Sequence, residues 1–402
     1  MRSVGITAEY NPFHFGHQYQ IEKIREKYGA DTPITAVLSG DFVQRGEAAA
    51  YDKFTRAEAA VRCGVSLVLE LPLPWCISSA EGFARGGVGL LAAAGVVDTI
   101  SFGSESADLT SLEKTASALE TSAFSALLKA KLADGRAFAP ARAEAAHEML
   151  GEAARVLDTP NDLLGTEYIR AAKRLGCTFN YYPVQRTGSE HDGAGSASAL
   201  RAVLRSGGSI AESIPEAARS VLAQADAAGR GYVPPESLRM AYLSRLREKT
   251  PEDFAAVPDA GEGLHYRLYE ASRTGGSIEE MADAAKSKRY AHARLRRMLL
   301  CAALGVRAGD ADGVPPYIRA LAFDERGAAL LREMKTAALL PVIVKSSRIK
   351  DESARAQYIF SLTSRAHDFF VLGRRDLSAQ AADEDYRFTP IYCPRSDNSS
   401  VG

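Results

Sequence analysis

The chain has 402 residues, 46% of them hydrophobic and 25% charged, with a net charge of −1. That length exceeds one ordinary core and points to two domains, and the composition is that of a soluble globular protein. Near-neutral charge excludes a polyanion-binding surface spread over the whole molecule, so any nucleic-acid contact must come from a local patch. The five cysteines, Cys63, Cys76, Cys177, Cys301 and Cys393, are odd in number and scattered. No pair has metal-ligand spacing, and a disulfide framework is not expected. The N-terminus enters a strand directly, without an apolar leader. The longest uncharged run of the first domain, Gly86 to Val97, is too short and too glycine-rich to span a bilayer. A cytoplasmic protein is expected.

In chain order, Val4-Gly5-Ile6 reads as a buried strand. Glu9-Tyr10-Asn11-Pro12-Phe13-His14-Phe15-Gly16-His17 follows as a tight loop, stiffened by Pro12 and opened by Gly16. Gln18 to Tyr28 is helical, with Ile21, Ile24 and Tyr28 on one face. Two histidines therefore stand where the loop enters a helix, whose N-terminus offers free N–H groups to a phosphate. Ile34 to Gly40 is a second strand, ending in the polar loop Asp41 to Glu47. A helix begins at Asp52 and ends at Gly64, and Ser66 to Leu71 is a third strand. A glycine- and alanine-rich helix spans about 80–94, and Val96 to Phe102 is a fourth strand ending in Gly103-Ser104-Glu105. Strands that alternate with helices imply a parallel, doubly wound α/β sheet, whose ligands bind beyond the strands' C-terminal ends.

Residues 110–157 are helical with breaks, and another helix follows Pro160-Asn161. A fifth strand lies within 177–185 and finishes in the glycine-rich loop Arg186 to Gly193. Beyond about residue 205 the pattern turns mainly helical, with helices at 217–228, 235–248, 265–273, 288–304 and 352–372. A small βαβ unit is predicted inside this second domain, from Tyr317–Phe323, 325–336 and Leu339–Lys345. The segment from Lys286 to Arg297 carries Lys286, Lys288, Arg289, Arg294, Arg296 and Arg297 and no acid. On a helix, Arg289, His292 and Arg296 share one face. Such a stripe is often only solvated, but its one-sidedness in a nearly neutral chain favours an RNA backbone.

The His14-Phe15-Gly16-His17 loop, placed directly after a first strand, resembles the HxGH signature of the nucleotidyltransferase superfamily. Those proteins bind ATP and attack its α-phosphate. Gly195-Ser196-Ala197-Ser198-Ala199-Leu200-Arg201 partly resembles the superfamily's ISSTxxR signature, with Gly195 for isoleucine, Ala197 for the second serine and Ser198 for threonine. Longer matches are Gly5 to His17 and Ser39 to Glu47; shorter ones are Glu70-Leu71-Pro72, Phe102 to Glu105, Pro160-Asn161 and Lys288-Arg289-Tyr290. Together they resemble the bacterial tRNA(Met) cytidine acetate ligase family over nearly the whole chain.

The resemblance implies a Rossmann-like catalytic domain at 1–205 and a mainly helical tRNA-binding domain at 206–402. It implies activation of acetate by ATP as acetyl-adenylate, then acetyl transfer to N4 of the wobble cytidine of elongator tRNA(Met), with Mg²⁺ accompanying ATP. His14 and His17 would hold the phosphates. Thr7, Ala8, Glu9, Tyr10, Asn11, Pro12, Phe13 and Gly16 would complete that loop's nucleotide contact. Gly103, Asn161 and Arg186 match ATP-contacting positions. Ser196, Ser198 and Arg201 would meet the phosphate tail. Asp41 would orient the cytosine amine or take its proton, with a turn cap as an equal alternative. Two other readings stay open: an adenylyltransferase acting on a phosphorylated small molecule, and an idle RNA-binding protein.

Overall fold

The computed structural model describes residues 2–133, 136–186, 196–261, 263–287 and 290–395. Its strands are β1 (Ser3–Ala8), β2 (Ile34–Ser39), β3 (Phe42–Val43), β4 (Glu47–Ala48), β5 (Leu67–Leu71), β6 (Val97–Ser104), β7 (Asn180–Gln185), β8 (Ile318–Phe323), β9 (Val342–Ile343) and β10 (Ile391–Tyr392). Every residue of β2 and β5 is buried, as near-continuous apolar strands of a covered parallel sheet must be. Successive side chains point to opposite faces. Val37 and Leu69 pack with the helices Ala80–Ala94 and Pro160–Arg174. Ala36, Leu38 and Val68 pack with Ile21 and Ile24 of helix Phe15–Tyr28 and with Phe54 and Val61 of helix Lys53–Arg62. The sheet is thus covered by helices on both faces, as expected.

The strand order is β10-β8-β5-β2-β1-β6-β7, with β9 paired to β8. From β5 to β7 all pairings are parallel. β1 lies between β2 and β6, so the winding reverses beside it. In such sheets the crevice beyond the strand ends at that reversal is the ligand site. The loop carrying His14 and His17 leaves β1 at that point.

The division at residue 205 is not a division of the sheet. β8 pairs antiparallel with β5, and β10 runs parallel beside β8. The expected βαβ unit is present as β8, helix Glu325–Ala337 and β9, but it extends the first sheet and does not stand apart. Buried charge holds the junction. Lys53 Nζ lies 2.6 Å from Glu70 and 2.8 Å from Asp385, and Arg319 Nη1 lies 3.0 Å from Glu70. Removing one member would leave an uncompensated buried charge, worth about 3–5 kcal/mol.

The remaining second half is helical, as expected. It includes helices Glu216–Ala227, Arg239–Arg247, Leu264–Thr274, His292–Leu304 and Ala354–Val371. Helix Ile278–Ala285 is additional to the sequence reading. Among the described residues, no helix is long and apolar enough to cross a membrane.

Candidate nucleotide site

Tyr10 turns the chain off β1 with a left-handed φ of 43°, a conformation bulky residues adopt only where surroundings enforce it. Here burial enforces it: Tyr10 and Phe13 are both 2% exposed, with ring centroids 4.9 Å apart. His14 is the N-cap of helix Phe15–Tyr28, and His17 sits one turn in. The Gly16 N–H donates to His14 Nδ1 at 3.0 Å, and the His14 N–H donates to His17 Nδ1 at 3.2 Å. An imidazole whose Nδ1 accepts an N–H carries its proton, when neutral, on Nε2. Both rings are neutral. Burial first, then the Arg186 and Arg201 charges, lowers His14 to about 4. Burial and the neighbouring His14 hold His17 well below its ordinary value. The pair therefore offers two Nε2–H donors and no vacant acceptor.

A cavity of ≈ 290 Å³ opens here at the C-terminal ends of β1 and β6. Thr7, Ala8, Glu9, Tyr10, Asn11, His14, Gly16 and His17 line one side, and Gly103, Asn161 and Arg186 the other. The predicted residues of four separate segments thus meet in one place. Asn161 is aimed by Glu105, which accepts from its Nδ2 at 2.5 Å, while Glu105 Oε2 takes the Asp162 N–H at 2.9 Å. These two hydrogen bonds join the segment Phe102–Glu105 to the N-terminus of helix Pro160–Arg174. Gly87 allows helix Ala80–Ala94 to lie against the wall, since a Cβ there would stand 2.6 Å from Thr7 Cγ2. Two buried polar atoms of lining residues, Thr7 Oγ1 and Asn11 Nδ2, have no hydrogen-bond partner among the described residues. Asn11 Oδ1 accepts from the Ala50 N–H at 2.7 Å, so its amide is fixed with Nδ2 free to donate. Orphaned donors beside two arginines suit an anionic, oxygen-rich ligand.

Arg201 reaches the cavity from helix Ala197–Arg205. Its Nη1 donates to the Asn11 carbonyl at 3.0 Å, and its Nη2 lies 3.1 Å from Glu47. Ser196 and Ser198 do not line the cavity. Ser196 Oγ caps the helix by accepting from the Ala199 N–H at 3.2 Å, and Ser198 Oγ lies 3.5 Å from Arg201 Nη2. They support Arg201, and the expected direct phosphate contact is not where the structure places them. Pro12 and Phe13 likewise stand behind the wall, inside the core.

Asp41 is also placed away from the cavity. It is 5% exposed, and both oxygens are engaged. Oδ1 accepts from the Lys53 N–H at 2.7 Å and Oδ2 from His367 Nδ1 at 2.8 Å. His367 Nε2 bonds Glu384 at 2.9 Å. Despite burial, the two carboxylates raise His367 to about 10, so it is an imidazolium donating from both nitrogens. In return Asp41 is held down at about 2, with His367 as its main stabilising charge. The turn-cap alternative describes Asp41; the amine-orienting one does not.

Of the basic stripe, Lys288 and Arg289 lie outside the described residues. Lys286 is exposed. Arg294 donates to the Asp259 carbonyl at 2.8 Å and Arg296 to Glu279 at 3.2 Å. Arg297 Nη1 reaches the Gln44 carbonyl at 3.4 Å. The stripe's described arginines, Arg294, Arg296 and Arg297, are therefore half-buried and bonded within the protein. The helix His292–Leu304 packs on the β3–β4 hairpin: a Cβ on Gly46, whose φ is +78°, would meet Arg297 N at 2.7 Å.

That hairpin supplies the residues sequence reasoning missed. Gln44 and Arg45 line the cavity, as do Tyr19, Gln20, Phe102, Leu164, Tyr168 and Gln185. Gln44 and Arg45 stand inside the Ser39 to Glu47 match and Phe102 inside the Phe102 to Glu105 match, which were the available signals; the others carry none.

The HIGH Nucleotidyl Transferase family matches residues 1–385. The tRNA(Met) cytidine acetate ligase of Thermoanaerobacter sp. (strain X514) is 35% identical over 398 residues, covering 95% of this chain and 98% of that protein. The chain belongs to the tRNA(Met) cytidine acetate ligase family. The ligase of Syntrophomonas wolfei is 33% identical, covering 97% and 99% of the two chains. A crystal structure of Thermotoga maritima TmcAL bound with alpha-thio ATP is similar over 98% of this chain and all of that one, with a TM-score of 0.91 and 32% identity. The apo form of the same protein gives a TM-score of 0.92. Among the described residues, no cluster of three or more histidine, cysteine or acidic side chains is arranged to hold a metal ion.

Proposed function

We propose that the chain uses ATP to convert acetate to acetyl-adenylate and transfers the acetyl group to N4 of the wobble cytidine of elongator tRNA(Met). The observation that carries this reading is the pair of neutral histidines. Two Nε2–H donors, held by backbone N–H groups on Nδ1, face a cavity flanked by Arg186 and Arg201. That arrangement suits a triphosphate whose α-phosphorus is attacked by a carboxylate, with pyrophosphate leaving. No protein nucleophile is needed. Catalysis then consists of positioning and charge neutralisation. The relatives' names and the ATP analogue in the Thermotoga maritima protein support ATP and this tRNA as the substrates.

Mg²⁺ would enter on the triphosphate, held by phosphate oxygens and water, since it rarely occupies an all-protein cage. Thr7 and Asn11 offer donors to the bound substrate. A cytosine amine is a poor nucleophile, and a mixed anhydride with AMP supplies the activated acyl group it requires. The adenylyltransferase reading shares the histidines but leaves unused the helical half that packs on the cavity's hairpin through Arg297. Labelled acetate with ATP, Mg²⁺ and bulk tRNA is the test. Label in tRNA, with AMP and pyrophosphate released, is expected. Pyrophosphate release that depends on a phosphorylated small molecule and ignores acetate would overturn the reading.

A further inference from the structure

Acetyl transfer has a requirement that adenylate formation lacks. The cytosine N4 must lose a proton as its bond to the acyl carbon forms. Among the described residues that line the cavity, acceptors are scarce. His14 and His17 have Nδ1 occupied by backbone N–H groups and a proton on Nε2. Tyr10 and Tyr168 are phenols whose proton burial holds more tightly than usual. The cations have no lone pair to offer, and the amide oxygens accept hydrogen bonds but are too weakly basic to take a proton. Glu9 is the one carboxylate on that wall. Of its neighbours, Glu47 pairs with Arg201, Glu105 is committed to a helix N-terminus, and Asp41 is locked to His367.

We propose that the Glu9 carboxylate is the general base of the transfer step, which rests on the functional reading above. Its position is fixed from both ends. The Glu9 carbonyl accepts from Arg56 Nη1 at 2.6 Å, and Oε1 accepts from the Gln44 N–H at 2.9 Å. Oε2 has no hydrogen-bond partner among the described residues. In the step, N4 attacks the acetyl carbonyl carbon and a C–N bond forms. The acyl C–O bond to AMP breaks, and its electron pair leaves with the phosphate. The N4 proton passes to Glu9 and then to water. Burial raises Glu9, towards the range in which a carboxylate works as a base; the Gln44 N–H, Arg201 and Arg45 oppose it, and Glu47 reinforces it. Arg56 of helix Lys53–Arg62 and Tyr168 of helix Pro160–Arg174 also lie within electrostatic reach of it.

The test separates the half-reactions. Acetate-dependent ATP–pyrophosphate exchange reports adenylate formation, and single-turnover acetylation of tRNA reports transfer. Glu9→Gln keeps the shape and still accepts from Gln44. It should lower the ratio of transfer to exchange by about 10²-fold. Wild-type transfer should also climb with pH and level off once Glu9 is ionised, and Glu9→Gln should lack that limb. An unchanged ratio, or the same pH limb in both proteins, overturns the assignment while the function stands. If the wild type shows no acetate-dependent exchange at all, the functional reading falls and the assignment with it.

Discussion

His17 performs two tasks that substitution can separate. Its Nδ1 accepts the His14 N–H, and its Nε2–H faces the cavity. His17→Ala removes both. The lost cap costs about 1 kcal/mol. Rings of Tyr10, Phe13 and His14 lie 4.8, 5.4 and 3.8 Å from His17, centroid to centroid. Losing those three contacts costs about 0.5–1.5 kcal/mol each. A stability loss of about 2.5–5.5 kcal/mol is therefore expected alongside the catalytic loss. His17→Asn differs, because its Oδ1 reaches the position of Nδ1 and its side chain ends short of Nε2. It keeps the cap and loses the phosphate donor. Removing one preorganised donor to developing charge costs about 10²–10³-fold, or 2.7–4 kcal/mol of barrier. Acetate-dependent ATP–pyrophosphate exchange should fall by about that factor in His17→Asn, and circular dichroism should report a folded protein. Exchange at the wild-type rate in folded His17→Asn would refute the donor role.

Stability should fall on both sides of neutrality. His14 and His17 are held below 6.5, so the unfolded chain binds protons that the native one refuses; stability drops as pH falls from about 6.5 towards 4. His367 is raised, so its contribution is complete below 6.5 and is lost as pH climbs through about 10. Chemical denaturation across pH should show both flanks, and His367→Gln should flatten the alkaline one. Arg201→Met should raise the KM for ATP at least tenfold in exchange assays, since it removes the charge that sits between Asn11 and Glu47. Lys286→Glu with Arg294→Glu should weaken tRNA in filter binding, with the deficit shrinking as salt rises. An unchanged affinity at low salt would mark that face as serving only the fold.

The first half of the fold was legible because its signals are local. Buried strands read as apolar runs, and the helix Ala80–Ala94 falls on the predicted residues. The HxGH loop carries its own context, a preceding strand and a following helix, and the cavity lies there. What escaped is non-local. β10 has two residues, too few to show a period, and β8, read as a strand together with β9, reveals its antiparallel partner β5 only in three dimensions. The sequence separation between Asp41 and His367 is 326 residues. With no partner visible, a polar residue at a strand end reads as catalytic. The same blindness applies to the stripe. Arg294, Arg296 and Arg297 look free along the chain, yet their acceptors at Asp259, Glu279 and Gln44 come from other segments.

Nucleoside mass spectrometry of tRNA incubated with the protein, ATP, Mg²⁺ and acetate tests the central claim most directly. N4-acetylcytidine at the wobble position of elongator tRNA(Met), formed together with AMP and pyrophosphate, is the predicted result. Unmodified cytidine, in a reaction where pyrophosphate appears only when a phosphorylated small molecule replaces acetate, would contradict it.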